Sequence, residues 1–227
     1  MPSPARTPSL YVEGKDDLAT IAALLLRHGV DISEANRPLQ MHVAGDLTSG
    51  AEGVKWLLAN MPDAIRSADD HPVGFVLDID VRLEDRWSAV CGRLREAGLA
   101  PPSVCPDDGY IDRLPNYPYP AGVWLMPDCA RHHGKLEHLL QTLVPENDLF
   151  WPHAGQSTAR ASELGARFRD PIKAHVHCWL AWQEEPGRPF GTAIKAKFLG
   201  HDSPEALAFL RWLSGLFQIA IPGLSAS

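Results

Sequence analysis

Apolar residues in this chain fall into short runs, separated by stretches with a helical period. Ser9 to Glu13 reads as a strand, and Asp16 opens a helix to about His28. Asp16 and Asp17 suit the positive N-terminal end of that helix, and Gly29 suits its stop. Leu39 to Ala44 reads as a second strand closed by Gly45, with a helix from Ala51 to Asn60 after it. "VGFVL", Val73 to Leu77, is a third strand with the continuous apolar character of one buried on both faces. A helix from about Leu83 to Ala97 follows, ended by Gly98. "GVWLM", Gly122 to Met126, is a fourth strand, and Lys135 to Leu143 a helix. This alternation over residues 9–144 predicts an α/β core with a parallel, doubly wound sheet flanked by helices. Ala100 to Pro120, rich in proline and tyrosine, is expected to form a small hairpin or an ordered loop.

Residues 145–222 change character and predict a helical extension packed on the core, one domain overall. Asp170-Pro171 supplies an aspartate cap and a proline in the first turn, for a helix to about Gln183. Ser203-Pro204-Glu205 repeats the signal for a helix to about Phe217. Between them "TAIKAKFL" reads as a short helix, and the tail "PGLSAS" is expected to fray. Trp179, Trp182 and Trp212 stand among apolar neighbours on these helices. They predict packing against the sheet or a second subunit, so a homodimer is compatible with the pattern.

Composition narrows the class. The 227 residues contain no apolar run near the ~20 of a membrane span, and the N-terminus "MPSPARTPS" lacks the apolar core of a signal peptide. The expectation is a cytoplasmic protein with no membrane partner. Four cysteines without a CxxC pair predict reduced thiols. A net charge of -7 argues against coating nucleic acid by bulk electrostatics. It leaves open a nucleic-acid partner reached through bound metal ions.

Acids recur where the strands end: Glu13, then Asp78 with Asp80, then Asp128. In an open parallel sheet, ligands bind beyond the carboxyl ends of the strands. Neighbouring strands lie ~4.8 Å apart, so such side chains can converge. Converging carboxylates raise each other's pKa, and a divalent cation relieves that cost. All-oxygen ligands suit Mg2+ or Mn2+. Strict alternation would point Asp78 and Asp80 to one face, and a chain that leaves strand geometry after Asp78 can equally place both near one ion. The plainer reading of any single acid is a helix cap or a solvated turn. Asp128 and Glu137 are further candidate ligands, with a turn and a wet helix face as their plainer roles. Lys195 and Lys197 are candidate phosphate or leaving-group contacts, and Lys15 is placed to neutralise substrate charge or to pair with a nearby acid. "CARHHGKLEH" contains Cys129, His132, His133 and His138, but its spacing fits no closed zinc module. His175 and His177 in "HVHC" point to different faces of a helix and read as packing or surface residues.

A strand ending in "LYVEGKDD", followed two units later by one ending in "VGFVLDID", resembles the TOPRIM domain of topoisomerases, bacterial primases and overcoming-lysogenization-defect nucleases. The resemblance covers about residues 9–144, and "GVWLMPDCARHHGKLEHLL" is similar to small stand-alone TOPRIM-like proteins of bacteria. The chain lacks a GxxxxGK[ST] loop and an evident tyrosine nucleophile, although Tyr110, Tyr117 and Tyr119 precede the fourth strand. The resemblance implies Mg2+ held by Asp78, Asp80 and Glu13, with Glu13 alternatively a general acid or base, in a nuclease-like enzyme acting on phosphodiesters. Lys197 is the expected assisting catalytic group. A non-catalytic module that keeps the acidic site as a metal or nucleotide pocket is the reading from another class.

Overall fold

The computed structural model describes residues 7–45 and 53–224. Ala51, where the second helix was expected to start, and the last three residues of the tail lie outside the described residues. So do the first six positions of the N-terminal stretch.

The chain begins as expected from its pattern, with β1 (Ser9–Val12), α1 (Lys15–Arg27), β2 (Gln40–Val43), α2 (Gly53–Ser67), β3 (Val73–Asp78) and α3 (Leu83–Ala97). A short strand β4 (Tyr110–Asp112) precedes β5 (Ala121–Met126) and α4 (Leu136–Thr142). Four helices complete it: α5 (Phe150–Glu163), α6 (Pro171–Leu180), α7 (Phe190–Lys195) and α8 (Pro204–Phe217). The sheet order is β2-β1-β3-β5-β4, parallel except for β4, which runs antiparallel to β5. The protein is therefore α/β, a five-stranded and mostly parallel sheet with helices on both faces. Strand order reverses at β1, which has β2 on one side and β3 on the other. That makes the β1/β3 edge the topological switch point.

Side-chain alternation assigns the faces. Tyr11 and Phe75 are paired in register and meet Trp56 of α2 and His42 on one face. Leu10, Gly74 and Gly122 share the other, where α8 lies so close that a Cβ at Gly74 or Gly122 would come 2.8 or 2.7 Å from Leu216 Cδ2. Glycine at both positions lets α8 sink its Leu213, Leu216 and Phe217 onto the sheet. Each such side chain is worth about 1.5–3 kcal/mol when removed from water. One contiguous apolar core runs from Leu10 to Ile221, so the C-terminal helices share the core of the sheet. On the outside, α7 crosses α1 at Gly191, where a Cβ would overlap the Ala19 carbonyl.

Three elements differ from expectation. α2 continues through Pro62 to Ser67; burial of the proline ring with Leu57, Met61 and Ile65 offsets the lost N–H and the crowding of the carbonyl one turn earlier. The Ala100–Pro120 stretch, expected as a small hairpin or an ordered loop, supplies a short edge strand that pairs antiparallel with β5. α5 was not anticipated: its large apolar residues, Phe150 and Trp151, are confined to its first turn, and Ala154 is its one buried residue. The caps of α6 and α8 match their signals, with Asp170 Oδ1 accepting from the Lys173 N–H (3.2 Å) and Ser203 Oγ from that of Ala206 (3.2 Å). Among the described residues, no helix is long and apolar enough to cross a membrane.

Candidate functional site

The strand-end acids collect at the switch point. Glu13 follows β1 directly, and its Oε1 accepts the Asp78 backbone N–H across the strand gap (2.8 Å). Asp78 ends β3, and its Oδ1 accepts the Leu136 N–H at the start of α4 (3.0 Å). Asp17 lies buried in the first turn of α1, where its Oδ2 takes the Gly14 N–H (2.9 Å). Its helix-start role and its place in the cluster are the same geometry. Glu137, in the first turn of α4, is also buried. Helix N-termini carry partial positive charge, which is why α1 and α4 can present carboxylates here.

That help is incomplete. Burial is the main force raising the Glu13 carboxyl to about 7; the Asp78 N–H lowers it, Asp17 and Asp80 raise it, and Arg86 lowers it. Asp17 is pushed up to about 6, chiefly by burial and also by Glu137 and Asp16, against the Gly14 and Asp17 amides. Asp78 is raised well above the usual carboxylate range by burial, then by Asp17, Glu13, Glu137 and Asp80. Each carboxylate resists ionisation because its neighbours are carboxylates in a low-dielectric place.

Asp80 sits past the end of β3 with φ 64°, in a short bridge to Gly134: its N–H donates to the Gly134 carbonyl (2.7 Å), and Gly134 N–H donates back (3.2 Å). The chain thus leaves strand geometry after Asp78. The Asp80 carboxylate accepts from Arg86 of α3, and Arg86 Nε is buried without a partner among the described residues.

The remaining candidates go elsewhere. Asp128 accepts the N–H groups of Ala130 (3.1 Å) and Arg131 (3.0 Å) and pairs with Arg131 Nε (3.0 Å), so it is a turn residue. Lys197 is exposed and past the end of α7, beside Arg27 and the segment after α4. Arg27 ends α1 while Asp17 begins it, and a 13-residue helix is about 20 Å long. The structure therefore does not bring Lys197 to Glu13. Lys195 is likewise exposed, and Lys15 is exposed with no partner among the described residues. Cys129 is in the core with its Sγ on Leu125, while His132 is 92% exposed, so they face different surroundings. His175 stacks on Trp151 at 3.8 Å between ring centroids, a packing role.

Two lysines come to the cluster that sequence reasoning missed. Lys173 of α6 stands 3.4 Å from Asp16 Oδ2 and 3.3 Å from Glu137 Oε1. Lys135 pairs with Asp170 at 2.7 Å, and the charges of Glu137 and Asp78 also favour its protonated form. No local signal marked either one; tertiary packing brings them in, with α6 set against α4 and Lys173 reaching from α6 to Asp16 of α1.

As a cation site, the donor set is chemically apt: carboxylate oxygens, desolvated and mutually repelling, which is the condition a hard divalent ion relieves. Among the described residues, no three His, Cys, Asp or Glu side chains stand together in the geometry of a metal centre. Asp80 is turned to Arg86 in this arrangement.

Fold and site together define an α/β protein with a desolvated acidic cluster at the switch point of a mostly parallel sheet. The chain belongs to the family described as a protein of unknown function (DUF3226), whose model matches residues 7–218. No curated protein and no solved structure matches it.

Proposed function

We propose that the cluster binds a divalent cation, Mg2+ or Mn2+, and that the protein is a nuclease-like enzyme acting on phosphodiesters. The observation that carries this is the hydrogen bond from the Asp78 backbone N–H to Glu13 Oε1, which ties the two desolvated acids to neighbouring strand ends across the switch point. The TOPRIM resemblance supports the same reading, because it implies Mg2+ held by Asp78, Asp80 and Glu13. Glu13 and Asp78 would hold the ion, joined by Asp80 once it releases Arg86. A bound ion would supply a water of lowered pKa and offset charge on the phosphate. If instead Glu13 stays outside the ion's shell, its carboxyl, raised to about 7 by burial, is poised to take or give a proton at neutral pH. Arg86, freed from Asp80, would keep a guanidinium at the mouth of the site. A nucleic acid is the expected substrate.

The Arg86–Asp80 pair favours a second reading, a regulatory module whose acidic pocket binds a metal or nucleotide without turnover. Thermal melts with and without Mg2+ come first, on the wild type and Asp78→Ala. The wild type should gain melting temperature and the variant should not. A wild type indifferent to both ions would sink both readings. Labelled DNA and RNA then separate them: cleavage should fall at least about 100-fold in Glu13→Gln and Asp80→Asn. Cleavage that survives those changes would contradict the catalytic roles.

A further inference from the structure

The acids at the switch point fall into two halves with different company. At one end, Glu13 and Asp78 meet each other and backbone N–H groups. At the other, Asp16 and Glu137 share one ammonium, Lys173 Nζ, at 3.4 and 3.3 Å. That ammonium also lies 5.8 Å from the centroid of Phe190, the first residue of α7. Elements α1, α4 and α7 thus position a cation delivered by α6. The Glu137 side chain is only 5% exposed, so water cannot carry its charge. Of the other cations nearby, Lys135 is committed to Asp170 and Arg86 to Asp80, while Lys15 is exposed and forms no ion pair with these acids among the described residues. Burial opposes the charged form of Lys173, yet Glu137 and Asp16 outweigh it and its pKa is raised.

Paired carboxylates around two adjacent positive charges are the ground plan of two-metal phosphodiester sites. Here one of the two charges is a side chain. We propose that Lys173 is the resident cation of the Asp16–Glu137 half, so that the site takes a single divalent ion, at Glu13 and Asp78. This rests on the cation reading above and adds the number of ions and a function for α6. An ammonium supplies charge without open coordination positions. Lys173 is therefore a positioning residue: it fixes Glu137 and Asp16 and repels a second ion, and it activates no water.

The test is a count of bound Mn2+ per chain, read from the electron paramagnetic resonance signal of free Mn2+. Each protein is first shown to be folded by a cooperative melt. Wild type and Lys173→Arg should bind one ion. Lys173→Met should bind two, and Lys173→Met with Glu137→Gln should return to one. Two ions in the wild type, or one in Lys173→Met with a Kd within about threefold of wild type, would overturn the assignment while leaving the cation reading intact. No ion in the wild type would remove the cation reading itself. Should Lys173→Met fail to fold, Glu137→Gln alone decides. It keeps one ion at wild-type affinity if Glu137 serves Lys173, and loses the ion if Glu137 belongs to the ion's own shell, which overturns the proposal.

Discussion

Asp78 and Asp128 follow adjacent strands of one sheet, and the apolar runs that precede them look alike. Asp78 faces Met126 in register, and Asp128 comes two residues later. Their fates differ. Asp78 is buried, with Asp17, Glu13 and Glu137 nearby and one backbone N–H to oppose them, so burial first and these acids second push its carboxyl far up. Asp128 folds back on two N–H groups of its own turn and on Arg131, which in turn pairs with Glu205 at 3.2 Å. An acid at a strand end becomes part of a site only when the next strand and the next helix bring acids too. One compensated carboxylate is architecture, and several sharing too few donors are a place for a ligand.

The comparison can be broken most decisively by pH. Glu13 and Asp17 have folded pKa values raised to about 7 and about 6, above the usual 4.5 and 3.8, so folding favours their protonated forms. Their contribution is complete below the usual values and is lost as pH rises through about 6 and then about 7. In chelator, stability to urea should fall from about pH 4.5 to 7.5, by on the order of 3 kcal/mol from Glu13 alone. Asp170 and Asp31 are lowered and act with the opposite sign at more acid pH. His42, His138 and His201, lowered chiefly by burial, oppose the fall inside the window, so the part due to Glu13 is read as the difference between wild type and Glu13→Gln. A flat or rising difference between pH 5 and 7.5 would dissolve the contrast between the two strand ends. Added Mg2+ should flatten the fall.

Substitution at the two aspartates gives a smaller effect of opposite sign. Asp78→Asn removes a carboxyl whose ionisation burial and its acidic neighbours oppose, and should raise metal-free stability at alkaline pH relative to wild type. Asp128→Asn loses its part of a half-exposed ion pair and should lower stability by up to about 1 kcal/mol, leaving the Mg2+-induced rise in melting temperature as in the wild type. Equal responses from the two would show that their surroundings do not matter. The smallest effect belongs to Lys197→Ala, which should change stability by less than about 0.5 kcal/mol and leave any cation-dependent cleavage untouched. A loss of cleavage there would mean that the distant end of α1 reaches the site.

Much of this was readable before folding. The buried runs of β1, β3 and β5 and the acids after them identify themselves, since a continuous apolar stretch of that length is a strand covered on both faces. Glu13 and Asp78 therefore come from pattern alone. Asp128 looked the same because the pattern records the strand end and not what lies opposite. Lys173 was invisible because the property that matters, an ammonium between α1 and α4, belongs to tertiary packing. α5 was invisible for the reverse reason: its large apolar residues stop after the first turn, and Ala154 is its one buried residue.

Gly191 has no chemistry of its own, yet α7 rests through it on the backbone of α1 at Ala19, two residues after Asp17. A methyl group there would displace the helix that carries Asp16 and Asp17, and with it the Lys173 contact. The electrostatic balance at the switch point is thus held from behind by the thinnest residue in the chain. A comparison of relatives confined to their acids and lysines would miss the position that keeps those acids in range of one another.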